Sequence, residues 1–115
     1  VTGLRDLLRP MLALYIGGMG APGKNFYHDL ACRYGYEAEA KQIQDLYLDG
    51  KKDEAAAAVP AELLRSVSLV GAEGAVAEQL AALAAAGVTT LKVTPMAQTH
   101  AERVRLVERL RELAG

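Results

Sequence analysis

The chain has 115 residues, 51% of them hydrophobic, and its 13 basic and 14 acidic side chains give a net charge of −1. This length suits one small domain with one core and argues against two independently folded domains. Basic and acidic residues are interleaved along the chain, so we expect no nucleic-acid partner and no anionic membrane partner.

Charged residues interrupt every hydrophobic stretch before it reaches the roughly 20 residues that cross a bilayer. Cys32 is the only cysteine, which excludes an internal disulfide and favours a reducing compartment. We therefore predict a cytoplasmic protein.

The chain opens with a predicted helix from Leu4 to Ile16. Its apolar positions recur at helical spacing and predict one buried stripe, made of Leu7, Leu8, Met11, Leu12, Tyr15 and Ile16. Pro10 lacks a backbone N–H, so a kink or break is expected to begin at Arg9. The glycine-rich residues 17–23 predict a loop.

A series of helices is predicted next. One begins near Lys24 or Asn25 and ends at Gly35, and its predicted core side chains are Phe26, Tyr27, Leu30 and Tyr34. Another runs from Glu37 to Asp49, and its predicted core side chains are Ala40, Ile43, Leu46 and Tyr47. Residues 51–59 are alanine-rich and helical by propensity, and Pro60 suits the first turn of a short helix through Leu64.

The last third predicts a helix, a strand and a helix. The first helix, 73–86, has Val76, Leu80 and Leu83 on one face and ends at Gly87. Residues 88–94 are rich in β-branched side chains and predict a strand that Pro95 limits. Thr99 and Glu102 form a capping-box pattern before a helix whose predicted apolar face is Val104, Val107, Leu110 and Leu113.

The predicted strand lacks enough neighbours in the chain. Residues 66–70 are the only other candidate strand, and joining the two would give one right-handed βαβ unit. Two strands are too few for a parallel sheet, and unpaired buried backbone groups cost about 1–3 kcal/mol each. We therefore interpret the chain as an incomplete piece whose strand pairs across a symmetric contact, which predicts a homo-oligomer.

Several segments together resemble one protein family: residues 15–20, 24–27, 33–36, 44–47, 57–60 and 87–95. They are similar to the luciferase-like monooxygenase superfamily, and within it to the oxidoreductases that use the deazaflavin coenzyme F-420. The resemblance implies a parent (β/α)₈ TIM barrel of the α/β class, of which this chain is a mainly α-helical portion with one or two short strands. Residues 1–70 would be a helical insertion, and residues 71–115 the terminal helix-strand-helix unit of a single incomplete domain.

The resemblance also implies chemistry for the parent enzyme. It would be an oxidoreductase or monooxygenase with coenzyme F-420, or alternatively FMN, and a small-molecule substrate. Most cofactor contacts in the family come from earlier strands, so we predict no catalytic residue here and expect the fragment alone to be inactive. The candidate cofactor-binding residues are Lys24, Asn25 and Phe26, in a loop over the barrel mouth, and Thr94.

Thr94 is a candidate because it would end the eighth barrel strand, and active sites lie at that end of barrel strands. Met96 would line the same rim. The alternative, to which we give equal weight, is that Thr94 and Pro95 only terminate the strand.

Other functions remain open. Residues 18–25 match the phosphate-binding pattern G-x-x-x-x-G-K-[ST] except at the last position, where Asn25 stands in place of a hydroxyl residue.

His28 and Cys32 lie four residues apart on one predicted helix, but two side chains do not make a metal site, and a packed thiol is expected. His100 is expected to be solvated. The runner-up function is a small helical interaction module without a cofactor.

Overall fold

The computed structural model describes residues 2–115 and divides the chain into two units, with the boundary between Val70 and Gly71. The helices of the first unit are α1 (Thr2–Asp6), α2 (Arg9–Ala13), a π-helical turn (Leu14–Gly18), α3 (Phe26–Arg33), α4 (Glu37–Leu48), α5 (Lys52–Ala57) and α6 (Ala61–Ser66). The helices of the second unit are α7 (Glu73–Ala85) and α8 (His100–Ala114).

The predicted helix ends at Gly35 and Gly87 are confirmed, while the break expected to begin at Arg9 lies earlier, at Leu7 and Leu8. The chain turns between Asp6 and Arg9, and Pro10 lies in the first turn of α2, where its missing N–H costs no helical hydrogen bond. Both α3 and α7 are followed by the predicted glycine, and the next residue donates back into the helix. The Tyr36 N–H reaches the Ala31 carbonyl at 3.1 Å, and the Val88 N–H reaches the Leu83 carbonyl at 3.0 Å.

The core of the first unit is a cluster of small and branched apolar side chains. Its buried members are Ala13, Ile16, Ala31, Ala40, Ile43, Ala55, Val59, Leu63 and Leu64. The prediction for α4 is confirmed, since Ala40 and Ile43 are buried and Leu46 and Tyr47 pack against the cluster.

The single buried stripe predicted from Leu4 to Ile16 is wrong in part. The side chains of Leu7 and Met11 are 61% and 47% exposed, while Ala13 and Ile16 are buried. The prediction assumed one uninterrupted helical period. The turn before Arg9 and the wider π-helical turn after Ala13 change the angular register, so different residues face the core.

The predicted loop at residues 17–23 begins later than expected, because the helical backbone continues through Gly18. The absence of a side chain at Gly17 and Gly18 lets this backbone lie directly against Tyr47 of α4. A Cβ added to Gly17 would be 2.7 Å from the Tyr47 Cβ, and one added to Gly18 would be 2.4 Å from the Tyr47 Cε1. A side chain at Gly17 or Gly18 would therefore require Tyr47 to move, and at Gly17 the Ile43 carbonyl oxygen is also only 3.0 Å from the added Cβ.

Arg9 connects α2 to the end of α5. Its Nη1 donates to the carbonyls of Ala57 at 3.3 Å, Ala56 at 3.4 Å and Val59, while its Nε donates to the Asp6 carboxylate at 2.7 Å. The last carbonyls of a helix lack intrahelical donors, and this guanidinium supplies a donor to one of them, the carbonyl of Ala57.

In the second unit, α7 packs against α8. Val76 is buried, Leu80, Leu83, Leu110 and Leu113 are partly buried, and Val104 and Val107 are 40% and 46% exposed. The guanidinium of Arg109 binds both carboxylate oxygens of Glu73, at 2.8 and 2.6 Å, and thereby lowers the pKa of Glu73.

The strand predicted at residues 89–94 is not observed in the described part of the chain. Residues 88–97 take no helical or strand structure, and the other predicted strand, 66–70, starts with the last residue of α6 and continues irregularly. A strand is defined by hydrogen bonds to a neighbour, and the β-branched composition of residues 88–94 does not supply one. The structure of residues 2–115 is thus helical with irregular connections.

The contact between Tyr47 and the glycine backbone predicts the effect of a methyl group. Gly18→Ala should lower the free energy of unfolding by about 1–3 kcal/mol, because the added Cβ overlaps the Tyr47 ring. Gly3→Ala is the control, since no atom lies within 4 Å of its added Cβ. The control should change stability by less than about 1 kcal/mol, in the stabilising direction. Urea unfolding followed by circular dichroism measures both, and equal midpoints for the two variants would show that the close approach is absent.

Candidate functional site

The candidate loop lies between the π-helical turn and α3. The Lys24 N–H donates to the Ala21 carbonyl at 2.9 Å and closes a tight turn with Pro22 and Gly23 at its centre. Gly20 lies so close to the end of this turn that an added Cβ would be 2.2 Å from the Lys24 carbonyl oxygen. The loop is therefore held by its own backbone.

Asn25 anchors the loop from inside. Its side chain is 1% exposed, its Oδ1 accepts the His28 N–H at 3.1 Å, and its Nδ2 donates to the Ile16 carbonyl at 2.9 Å. The first bond caps α3, as the sequence predicts, and the second joins α3 to the π-helical turn. The structure therefore places Asn25 in a positioning role, with both polar groups already used inside the fold.

Lys24 and Phe26 flank Asn25 and point the other way. Lys24 is exposed, and the Phe26 ring is 66% exposed. The Phe26 ring meets the Tyr27 ring edge-on at 5.4 Å between centroids, and the Tyr27 ring lies 4.9 Å from that of Tyr15.

The predicted core face of α3 is wrong for its three aromatic side chains, while its fourth predicted member, Leu30, is partly buried. Phe26, Tyr27 and Tyr34 are all more than 40% exposed, whereas Ala31 is buried and Cys32 packs against the core. The sequence predicted that the large aromatic side chains of α3 would be buried. The buried Asn25 side chain sets the rotation of the helix instead, and it turns a face of small residues inward.

The phosphate-binding alternative lacks its structural context. A P-loop follows a strand, whereas residues 9–18 are helical. Its last residue must also offer a hydroxyl to magnesium, but Asn25 is buried and bonded to Ile16 and His28. The geometry gives this alternative no support.

His28 and Cys32 lie on the same side of α3. The His28 Nδ1 is 3.8 Å from the Cys32 Sγ and 3.7 Å from the Asp29 Oδ1. Burial, and then the nearby carboxylates of Glu37 and Asp29, raise the pKa of the Cys32 thiol. Within residues 2–115, no three His, Cys, Asp or Glu side chains are grouped so that they could hold a metal ion.

Thr94 lies in the second unit, in the irregular segment before α8, and is exposed, as is Met96 at 59%. Its neighbour Pro95 borders a shallow groove along α8, lined by Pro95, His100, Arg103, Val104, Val107 and Glu108. His100 is exposed, as expected. Lys24, Asn25 and Phe26 are thus adjacent on one loop, and Thr94 belongs to a different unit.

Tyr15 and Tyr27 extend the candidate site beyond the residues that the sequence singled out. Twelve positions separate them along the chain, so no local spacing indicates that their rings touch. Two sequence signals do point to the region, the pattern Gly17–Gly18 and the capping residue Asn25, because both hold the π-helical turn near the start of α3.

Substitutions at Asn25 should separate its two hydrogen bonds. Asn25→Ala should lower the free energy of unfolding by about 1–3 kcal/mol, because the His28 N–H and the buried Ile16 carbonyl both lose a partner. Asn25→Ser keeps an acceptor for the cap and should lose less. Asn25→Ser also completes the P-loop pattern. It should nevertheless fail to bind ATP with magnesium, because a helix and not a strand precedes the loop. Chemical unfolding and calorimetric titration measure these effects, and magnesium-dependent ATP binding by the serine variant would contradict this assignment.

The raised pKa of Cys32 predicts slow alkylation. Iodoacetamide at pH 8 should modify Cys32 more slowly than a cysteine in an unstructured peptide, because less thiolate is present and the side chain is partly buried. Glu37→Gln should move the pH midpoint of the reaction downward, since one of the carboxylates that oppose ionisation is removed. Glu39→Gln on the same helix is the control. Mass spectrometry follows the reaction, and identical pH profiles for both variants would remove Glu37 as a cause.

Comparison with known proteins identifies a matching family and a relative of this chain. Residues 4–90 match the family model of the luciferase-like monooxygenases. A Mycobacterium tuberculosis protein named "Putative coenzyme F420-dependent oxidoreductase" is 43% identical over 98 residues, which make up 85% of this chain and 27% of the relative. The chain therefore spans about a quarter of the length of that relative. No solved structure matches this chain. The family match covers most of the chain, and the chain belongs to the luciferase-like monooxygenase family.

Proposed function

We propose that this chain is part of a coenzyme F-420-dependent oxidoreductase with a luciferase-like TIM barrel. The observation that carries the proposal is the 43% identity to a relative whose name states that dependence. In such an enzyme the deazaflavin would exchange a hydride with a small-molecule substrate, and FMN is the alternative cofactor. None of the helices described in residues 2–115 is both long and apolar enough to span a membrane. The single free Cys32 supports a cytoplasmic location.

The second unit supports the view that further strands complete the fold. Residues 88–94 have the β-branched composition of a strand, and their apolar residues Val88 and Leu91 are 39% and 43% exposed. The adjoining α8 contains no buried residue and exposes Val104 and Val107. A β-branched segment followed by a helix with exposed Val104 and Val107 is compatible with the eighth strand and last helix of a barrel. We accordingly propose residues 71–115 as the closing unit of the barrel and residues 1–70 as a helical insertion.

The proposed cofactor contacts are made by exposed residues. Thr94 would lie at the carboxyl end of the eighth strand, the position from which barrel enzymes build their sites. Lys24, at the end of the loop, and Phe26, the first residue of α3, are exposed on either side of the buried Asn25. Asn25 itself would act by holding Lys24 and Phe26 in place. A symmetric homo-oligomer remains part of the proposal, supported by the exposed apolar side chains of the second unit.

Two measurements test this function. The coding sequence upstream of Val1 should contain further strand-helix repeats. The full-length product should then bind coenzyme F-420 at least tenfold more tightly than FMN, and at least tenfold more tightly than the 115-residue chain does, because most cofactor contacts come from other strands.

Variants of the full-length product test the named contacts. Lys24→Ala and Thr94→Ala should each weaken coenzyme binding severalfold. Lys41→Ala is the control, since the Lys41 ammonium is exposed and pairs with Asp45 at 2.6 Å. Equal binding by the short chain would overturn the barrel argument, and preference for FMN would overturn the coenzyme assignment.

A further inference from the structure

We draw no further inference here: the strongest candidate, the surface patch of exposed Leu4, Leu7, Met11 and Leu14 along α1, α2 and the π-helical turn, carries nothing because no contact among the described residues shows what covers it.

Discussion

The close packing of Tyr47 against the backbone of Gly17 and Gly18 is the contact on which the first unit depends. It brings the π-helical turn onto α4 at a separation that side chains at either glycine would prevent. The same turn carries the Ile16 carbonyl, which accepts the Asn25 side chain and so sets the start and rotation of α3. One glycine-dependent contact thus determines where the candidate loop and its aromatic residues lie.

Two polar side chains, the buried Asn25 and the partly buried Arg9, add hydrogen bonds to the apolar packing of the first unit. Asn25 and Arg9 each satisfy backbone groups that a helix end leaves without partners, one at the start of α3 and the other at the end of α5. Their cost of burial is offset because every bond they make replaces one that water would otherwise supply. The result is a small unit whose short helices are joined by side-chain hydrogen bonds as well as by a core rich in alanine.

Family membership and local geometry contribute different parts of the functional picture. The match over residues 4–90 identifies the family, while the chain spans about a quarter of the relative from Mycobacterium tuberculosis. The geometry adds which side chains are available for binding. The Asn25 side chain is buried, Lys24 and Phe26 lie on the surface, and Phe26 contacts Tyr27, whose ring contacts Tyr15. The chemistry of hydride transfer belongs to the proposed complete enzyme.

The sequence by itself determined the helix boundaries around Pro10, Gly35 and Gly87, the cap at Asn25, and the family, because these depend on local backbone chemistry and on residue identity. It did not determine which face of α3 is buried. The start of α3 is positioned by the hydrogen bond from Asn25 to the Ile16 carbonyl, nine residues earlier, and small residues face the core. The sequence also predicted a strand at residues 89–94 that the described chain does not form, because a strand requires a partner whose presence is a tertiary property. The contacts of Tyr15 with Tyr27, and of Tyr47 with Gly17 and Gly18, were likewise decided only by the tertiary structure, because it brings residues distant in sequence together.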